Sequence, residues 1–298
     1  LDRIASQARQ HHCYIICPLL THREGRFWNS AVVIDRTGHI LGIYDKLHPV
    51  TTTSDYTQME GGITPASDTP VFDLDFGRIG IQICFDIQFP ESWAVLAEKG
   101  AKVIFWPSAY NGGFPLQTYA WLHHTYVISS VNTEKARIID PLGKILAETE
   151  YQLNVLVRDI NLDYAVCHYD FNYSIPDRIQ TAYPGQVEIR SDWDSNHFLV
   201  EPLDPKLTIA RLQSEFCFNT VQEYLRLHQN AYASLRAGKA PVAQAAAHGR
   251  RPMFRKENPV SIIPEPTRIT STEGSFVLTA ATRIQVSPEA RGVGEYLQ

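Results

Sequence analysis

The sequence predicts an α/β protein whose sheets are covered on both faces. Three observations carry that expectation. Strand and helix signals alternate through the middle of the chain. The strand segments are apolar runs rather than polar–apolar alternations, as burial on both faces demands. One hairpin pattern also occurs twice. Residues 28–34 and 39–44 flank Asp35-Arg36-Thr37-Gly38, and residues 136–139 and 144–148 flank Asp140-Pro141-Leu142-Gly143. Each tetrad is a turn signal with its glycine free to take positive φ. Two matching hairpins in two halves point to a pseudo-twofold sandwich.

Taken in order, residues 1–10 have the pattern of the end of an amphipathic helix, and residues 14–20 form a short apolar run expected to be a buried strand. The first hairpin follows. Residues 78–85 are an apolar strand. Pro90 then opens a helix over 91–99 and Gly100 closes it, proline at the first turn and glycine just past the end being the usual punctuation. Residues 102–106 and 125–131 are further strands. From 208 to 236, Leu212, Phe216, Val221, Leu225 and Tyr232 keep roughly helical spacing, which predicts one or two helices after the sandwich. Such a stripe needs a partner, on the sandwich or on a second subunit, because an isolated helix of that length is marginal in water.

The character changes at 237–258. Ala-Gly-Lys-Ala-Pro, three alanines in a row and Gly249-Arg250-Arg251-Pro252 carry no sustained pattern, so this stretch reads as a linker. A new unit begins at 259. Residues 276–278 and 283–286 are short strands around turn residues, and 288–298 has a helical pattern.

Composition narrows the class. With 44% hydrophobic and 20% charged residues the chain is globular rather than disordered. A formal net charge of −5 gives no electrostatic reason to expect nucleic acid as a partner. No apolar run approaches the roughly 18 residues of a membrane span. Cys13, Cys17, Cys84, Cys167 and Cys217 are odd in number and irregular in spacing, so neither a disulfide framework nor a zinc ribbon is indicated. That favours free thiols in a reducing compartment such as the cytoplasm. The chain opens on Leu1, and it is expected to be a fragment at both ends, so a signal peptide upstream stays an open alternative.

The chemistry centres on Cys84, in Gly80-Ile-Gln-Ile-Cys-Phe-Asp-Ile-Gln-Phe-Pro-Glu91. It ends an apolar strand and precedes a helix. A nucleophile placed there projects from a sheet edge, with the next backbone N–H turned to an oxyanion. Taken alone, a cysteine in an apolar strand is most often an inert core residue. Lys46, in Gly42-Ile-Tyr-Asp-Lys-Leu-His-Pro49, lies at the end of the second hairpin strand, at the same end of the sheet. A lysine at a strand end is usually a solvated charge. Beside a thiol, however, an ammonium lowers the thiol pKa and stabilises a developing oxyanion. His123 with His124, and His11 with His12, are adjacent pairs. Neighbouring helical residues diverge and no third ligand is spaced nearby, so they make no metal site.

Four motifs in series carry a resemblance: Tyr44-Asp-Lys-Leu-His-Pro49; Val71-Phe-Asp-Leu-Asp-Phe-Gly-Arg-Ile-Gly80; Ile83-Cys-Phe-Asp86 with Phe89-Pro-Glu91; and Ile104-Phe-Trp-Pro-Ser-Ala109. In order and spacing, from residue 1 to about residue 162, they resemble the nitrilase superfamily of carbon–nitrogen hydrolases. The resemblance implies a four-layer αββα sandwich over residues 1–236, incomplete at its N-terminus, and a Glu–Lys–Cys triad. It makes Cys84 the nucleophile, Lys46 the triad lysine and the Phe85 backbone N–H the completion of the oxyanion hole. Attack on an amide, carbamoyl or nitrile carbon would give a thioester or related acyl-enzyme, release ammonia or an amine, and end in hydrolysis by water. No metal or organic cofactor is needed. The partner implied is a small-molecule amide or nitrile, with homo-oligomers in prospect.

The chain departs from the pattern in three places. The general-base glutamate of the triad is expected upstream of Leu1, so residues 1–298 alone are expected to be nearly inactive and poorly soluble. The second glutamate of many members has Glu60 as its candidate, an exposed loop glutamate being the alternative. Where the family often carries Ala-Arg-Ala-x-Glu-Asn, this chain reads Ala120-Trp-Leu-His-His-Thr125. Residues 259–298 resemble the start of the N-terminal accessory domain of bacterial-type β-N-acetylhexosaminidases, through Ile262-Ile-Pro-Glu-Pro-Thr-Arg-Ile269, Gly274-Ser-Phe-Val-Leu278 and Thr282-Arg-Ile-Gln-Val286. That implies a partial α+β module, with an unrelated hairpin and helix as the alternative. Two other functions therefore stand beside the hydrolase: part of a fused glycoside hydrolase, and a catalytically dead nitrilase-fold scaffold.

Overall fold

A computed structural model describes residues 1–243. The linker expected at 237–258 lies partly, and the module expected at 259–298 wholly, outside the described residues; residues 237–243 contain no helix or strand.

The chain opens with α1 (Asp2–His11) and an antiparallel meander of β1 (Ile15–Arg23), β2 (Arg26–Ile34) and β3 (Ile40–Asp45). Next come β4 (Phe72–Leu74), β5 (Gly77–Ile81), α2 (Pro90–Glu98), β6 (Val103–Ser108), α3 (Phe114–His123), β7 (Tyr126–Val131), β8 (Arg137–Ile139) and β9 (Ile145–Glu148). These six strands form one mixed sheet in sequence order. Its two parallel pairings, β5–β6 and β6–β7, are the ones with helices in the crossovers. A third sheet, of order β10-β12-β11, is built from β10 (Ala165–His168), β11 (Val187–Asp192) and β12 (His197–Pro202), with α4 (Ile175–Ala182) between its first two strands. Helices α5 (Ile209–Phe216) and α6 (Val221–Arg236) follow.

The sheets are apolar on both faces. On β2, Ala31 and Val33 join a core with Ile79, Ile81, Val103, Tyr126, Val166 and Leu199, so residues of all three sheets meet there. The alternate residues Val32 and Ile34 pack against Ala8 and Ile4 of α1. On β6 the same alternation sends Val103 to the shared core and Ile104 and Trp106 to Trp93 and Leu96 of α2 and Leu116 of α3. On β12, Leu199 faces the shared core, while Phe198 and Val200 meet Ile175 and Ile179 of α4 and Leu212 and Phe216 of α5. An α/β protein with one mixed and two antiparallel sheets is therefore present.

The two hairpins are built alike. Asp35 N–H donates to His39 O and Gly38 N–H to Asp35 O; Asp140 N–H donates to Lys144 O and Gly143 N–H to Asp140 O. In both, the aspartate Oδ1 accepts from the backbone N–H groups two and four residues on. Gly143 has φ +76, and a Cβ there would lie 2.9 Å from the backbone oxygen of Gln117. Gly143→Ala therefore combines left-handed strain with a clash that no rotamer relieves. It is expected to cost about 2 kcal/mol or more, read as a lower urea midpoint at unchanged m-value.

One expectation is corrected in detail, and another is made specific. The strand expected over 78–85 ends at Ile81 in its regular pairing, with one further ladder bond from Gln82 N–H to Phe105 O. The cause is Asp86, whose Oδ2 takes the Ile83 N–H and turns the chain into a 3₁₀ turn, Cys84–Gln88. The stripe at 208–236 is two helices. Cys217, at φ +56, ends α5, and Thr220 with Glu223 forms the capping box that starts α6. α5 buries Leu212 and Phe216, whereas on α6 Val221 is buried but Leu225 and Tyr232 stay exposed. Residues 151–158, after the second hairpin, run without helix or strand, and Tyr151, Leu153, Val155 and Val157 are exposed.

Candidate active site

Lys46 follows β3 directly. Its N–H donates to Asn29 O, and its side chain is only 1% exposed. A buried ammonium needs a partner, and here the partner is Glu60, whose Oε1 lies 2.8 Å from Nζ. Glu60 opens the short 3₁₀ turn Glu60–Gly62 and also accepts from Asn29 Nδ2 at 3.2 Å and Val50 N–H at 3.4 Å. Partial burial pushes the Glu60 carboxyl up, but the bonds from Lys46 and Asn29 outweigh that and leave it below its ordinary value.

The sign of the linkage follows. A depressed carboxylate pKa stabilises the fold fully above the unfolded value of about 4.5, and that contribution is lost as pH falls through the lower folded value. Glu60→Gln is expected to remove this part of the acid dependence. Denaturation midpoints of the two proteins should converge as the pH is lowered below about 4.5 and separate above it.

Cys84 stands at the first position of its 3₁₀ turn with φ +49, a left-handed conformation unusual for a non-glycine residue. Its carbonyl accepts from Trp106 Nε1 at 3.1 Å, which fixes the turn to β6. Tyr110 packs edge-on against Trp106. Burial raises the Tyr110 phenol, the Gln88 side chain offsets part of that, and a Cys84 thiolate would raise it further. Phe85 follows Cys84 in the turn, its ring edge-on to Phe89.

The lysine strand and the cysteine turn are joined through Asp86, which is fully buried. Tyr44, two residues before Lys46, donates its hydroxyl to Asp86 Oδ2 at 2.7 Å. His48, two residues after Lys46, donates both its backbone N–H and Nδ1 to Asp86 Oδ1, each at 2.9 Å. Burial first, and Asp86 second, hold the Tyr44 hydroxyl protonated well above its usual range, so it stays a donor. The His48 ring lies flat on Phe89, centroids 3.6 Å apart.

Of the residues that the sequence singles out, Cys84, Lys46, Glu60 and Phe85, the structure places Glu60 on Lys46. Tyr44, His48 and Asp86 stand in the sequence only as letters of its motifs. The signal that could have found them is an aspartate two residues past the candidate nucleophile, which must be paired if it is buried. Asn29 carried no signal, since it meets Glu60 only through the hairpin register.

A second buried polar group lies elsewhere. Arg190 donates to Asp140 Oδ2 and Glu201 Oε2, each at 2.7 Å, and Tyr126 donates its hydroxyl to Glu201. It ties the second hairpin to β11 and β12 as a strut, the guanidinium paired with both carboxylates. His123 stacks on Tyr119, and His124 turns to His197. Among the described residues no group of three or more His, Cys, Asp or Glu is placed to hold a metal ion, and no helix is long and apolar enough to cross a membrane.

With this geometry in hand, comparison with known proteins is informative. Residues 1–166 match the family described as carbon–nitrogen hydrolase. A deaminated glutathione amidase of Synechocystis sp. is 32% identical over 161 residues, covering 47% of this chain and 59% of that protein. The chloroplastic omega-amidase of Arabidopsis thaliana is 26% identical over 192 residues, covering 56% and 48%. Among solved structures, the C. elegans NitFhit protein aligns with a TM-score of 0.49 at 24% identity, over 61% of this chain and 48% of that one. The chain spans 56% to 59% of the length of the first curated relatives it matches.

Proposed function

The chain belongs to the carbon–nitrogen hydrolase family, and from that premise we propose that it hydrolyses the carbon–nitrogen bond of a small amide with Cys84 as the nucleophile. The observation that carries the reading is a buried ammonium, Lys46, on a strand end locked through Asp86 to the turn that presents Cys84. The Cys84 thiolate attacks the amide carbonyl. The Lys46 ammonium and the Phe85 N–H stabilise the oxyanion, ammonia or an amine leaves, and water hydrolyses the thioester. Glu60 holds Lys46 in place and keeps it paired. Proton transfer from thiol to leaving amine is assigned to the triad glutamate that the family resemblance sets apart from Glu60. The amidase names of two relatives favour an amide over a nitrile.

The same reading takes the packing as the αββα arrangement, because the shared core is flanked by α2 and α3 on one side and by α1, α4 and α5 on the others. It also takes homo-oligomers as the use of α6, whose Leu225, Tyr232 and Leu235 are exposed. The test is a trapping experiment. A form that carries the triad glutamate is incubated with a panel of small amides and carbamoyl compounds, ammonia is assayed, and peptides are mapped by mass spectrometry. An acyl adduct confined to Cys84 is expected. An adduct on another cysteine, or ammonia release that survives Cys84→Ala, would sink the reading.

A further inference from the structure

We infer that Asp86 is the positioning residue for the Cys84 thiol: its carboxylate holds the left-handed turn bearing Cys84 against the strand end bearing Lys46. The inference rests on the reading of Cys84 as nucleophile and adds a residue to it.

The argument begins with cost. A fully buried carboxylate is retained only where hydrogen bonds replace its water. Asp86 accepts four: from Tyr44 Oη, Ile83 N, His48 N and His48 Nδ1, all between 2.7 and 2.9 Å. The donors come from both sides of the site. Ile83 belongs to the Cys84 segment, and Tyr44 and His48 bracket Lys46. Each carboxylate oxygen therefore has its own duty. Oδ2 joins Tyr44 to the backbone just before Cys84, and Oδ1 grips the chain just after Lys46. Cys84 needs such a hold because its φ of +49 is held only where the surroundings over-determine it. Trp106 Nε1 on the Cys84 carbonyl fixes the other side of the turn. Asp86 itself touches no reacting atom in this arrangement. It acts through the geometry of Cys84 and Lys46.

The test uses iodoacetamide and residue-resolved mass spectrometry on the native chain, on Asp86→Asn and on Tyr44→Phe. In the native chain Cys84 is expected to alkylate faster than the exposed Cys217. Asparagine keeps the shape of Asp86 but sets an N–H against two of its four donors. Cys84 alkylation is then expected to slow by about tenfold to a hundredfold, the scale of a small misplacement of a reacting group. Tyr44→Phe removes one donor and is expected to slow it by about fivefold. The direction separates position from charge. A carboxylate acting by charge alone opposes a nearby thiolate, so its removal would speed alkylation. Loss of structure is monitored by Cys167, which is fully buried and stays unlabelled while the fold persists. Should Asp86→Asn unfold, the Tyr44→Phe rate decides. A reactive native Cys84 whose rate is unchanged or raised in a folded variant overturns the inference alone. A native Cys84 no faster than Cys217 overturns both the inference and the nucleophile reading.

Discussion

In a form that carries the triad glutamate, replacing Cys84 with alanine is expected to abolish both amide hydrolysis and covalent trapping, a loss of about 10⁴-fold or more in turnover, with the fold intact. Removing the nucleophile of a covalent mechanism leaves only the catalysis that binding and the oxyanion site supply. Stability should change little, because Cys84 is only partly buried and its structural tie is the backbone carbonyl held by Trp106. The measurement is ammonia release and intact mass alongside a thermal melt. Residual turnover within tenfold of the native chain would move the nucleophile elsewhere.

Lys46→Met is the second large effect. Methionine approximates the length of the side chain but carries no charge, so it deletes the proposed oxyanion partner without opening a cavity. In the form that carries the triad glutamate, the expected loss in turnover is about 10²- to 10³-fold. Stability should fall as well, by about 1–2 kcal/mol, because Glu60 loses its ammonium. The fall stays modest because Glu60 is partly exposed, and water can take the vacated place at its carboxylate. Lys46→Arg should not rescue activity. A site that leaves the lysine 1% exposed has no room for a planar guanidinium. Paired urea melts and turnover assays on the two variants separate the contributions. Full activity in Lys46→Met would remove Lys46 from the mechanism.

The hairpins were legible because a tight turn needs particular residues at particular places, and Asp35 with Gly38 and Asp140 with Gly143 meet that need locally. Cys84 and Lys46 stand out as candidates only through motifs in series, since neither position alone distinguishes a nucleophile from a core thiol or a surface charge. The third sheet was not legible. β12 is buried along its whole length, yet it contains His197, Glu201 and Pro202. Its buried Glu201 is satisfied by Arg190 and Tyr126, 11 and 75 residues away in the chain, so no local period reveals it. The end of β5 is hidden in the sequence for a related reason. Residues 82 and 83 are as strand-like as those before them, and only the side chain of Asp86 stops the pairing. On α6 the spacing of Leu225 and Tyr232 is helical as expected, but spacing states which residues share a face and not whether anything lies against it.

The stretch after the second hairpin has a consequence for anyone who handles the protein. Gln152-Leu-Asn-Val-Leu-Val157 holds no charge, proline or glycine, and Val157 is 92% exposed. Hexapeptides of that composition stack on themselves, each backbone finishing the hydrogen bonds of the next. Concentrated stocks are therefore expected to thicken and cloud with time, faster at high salt, where the net charge of −5 no longer keeps molecules apart. Val155→Lys puts a gatekeeper in the middle of the strip. By light scattering it should raise the concentration at which clouding begins, and an unchanged threshold would show that the strip is not the seed.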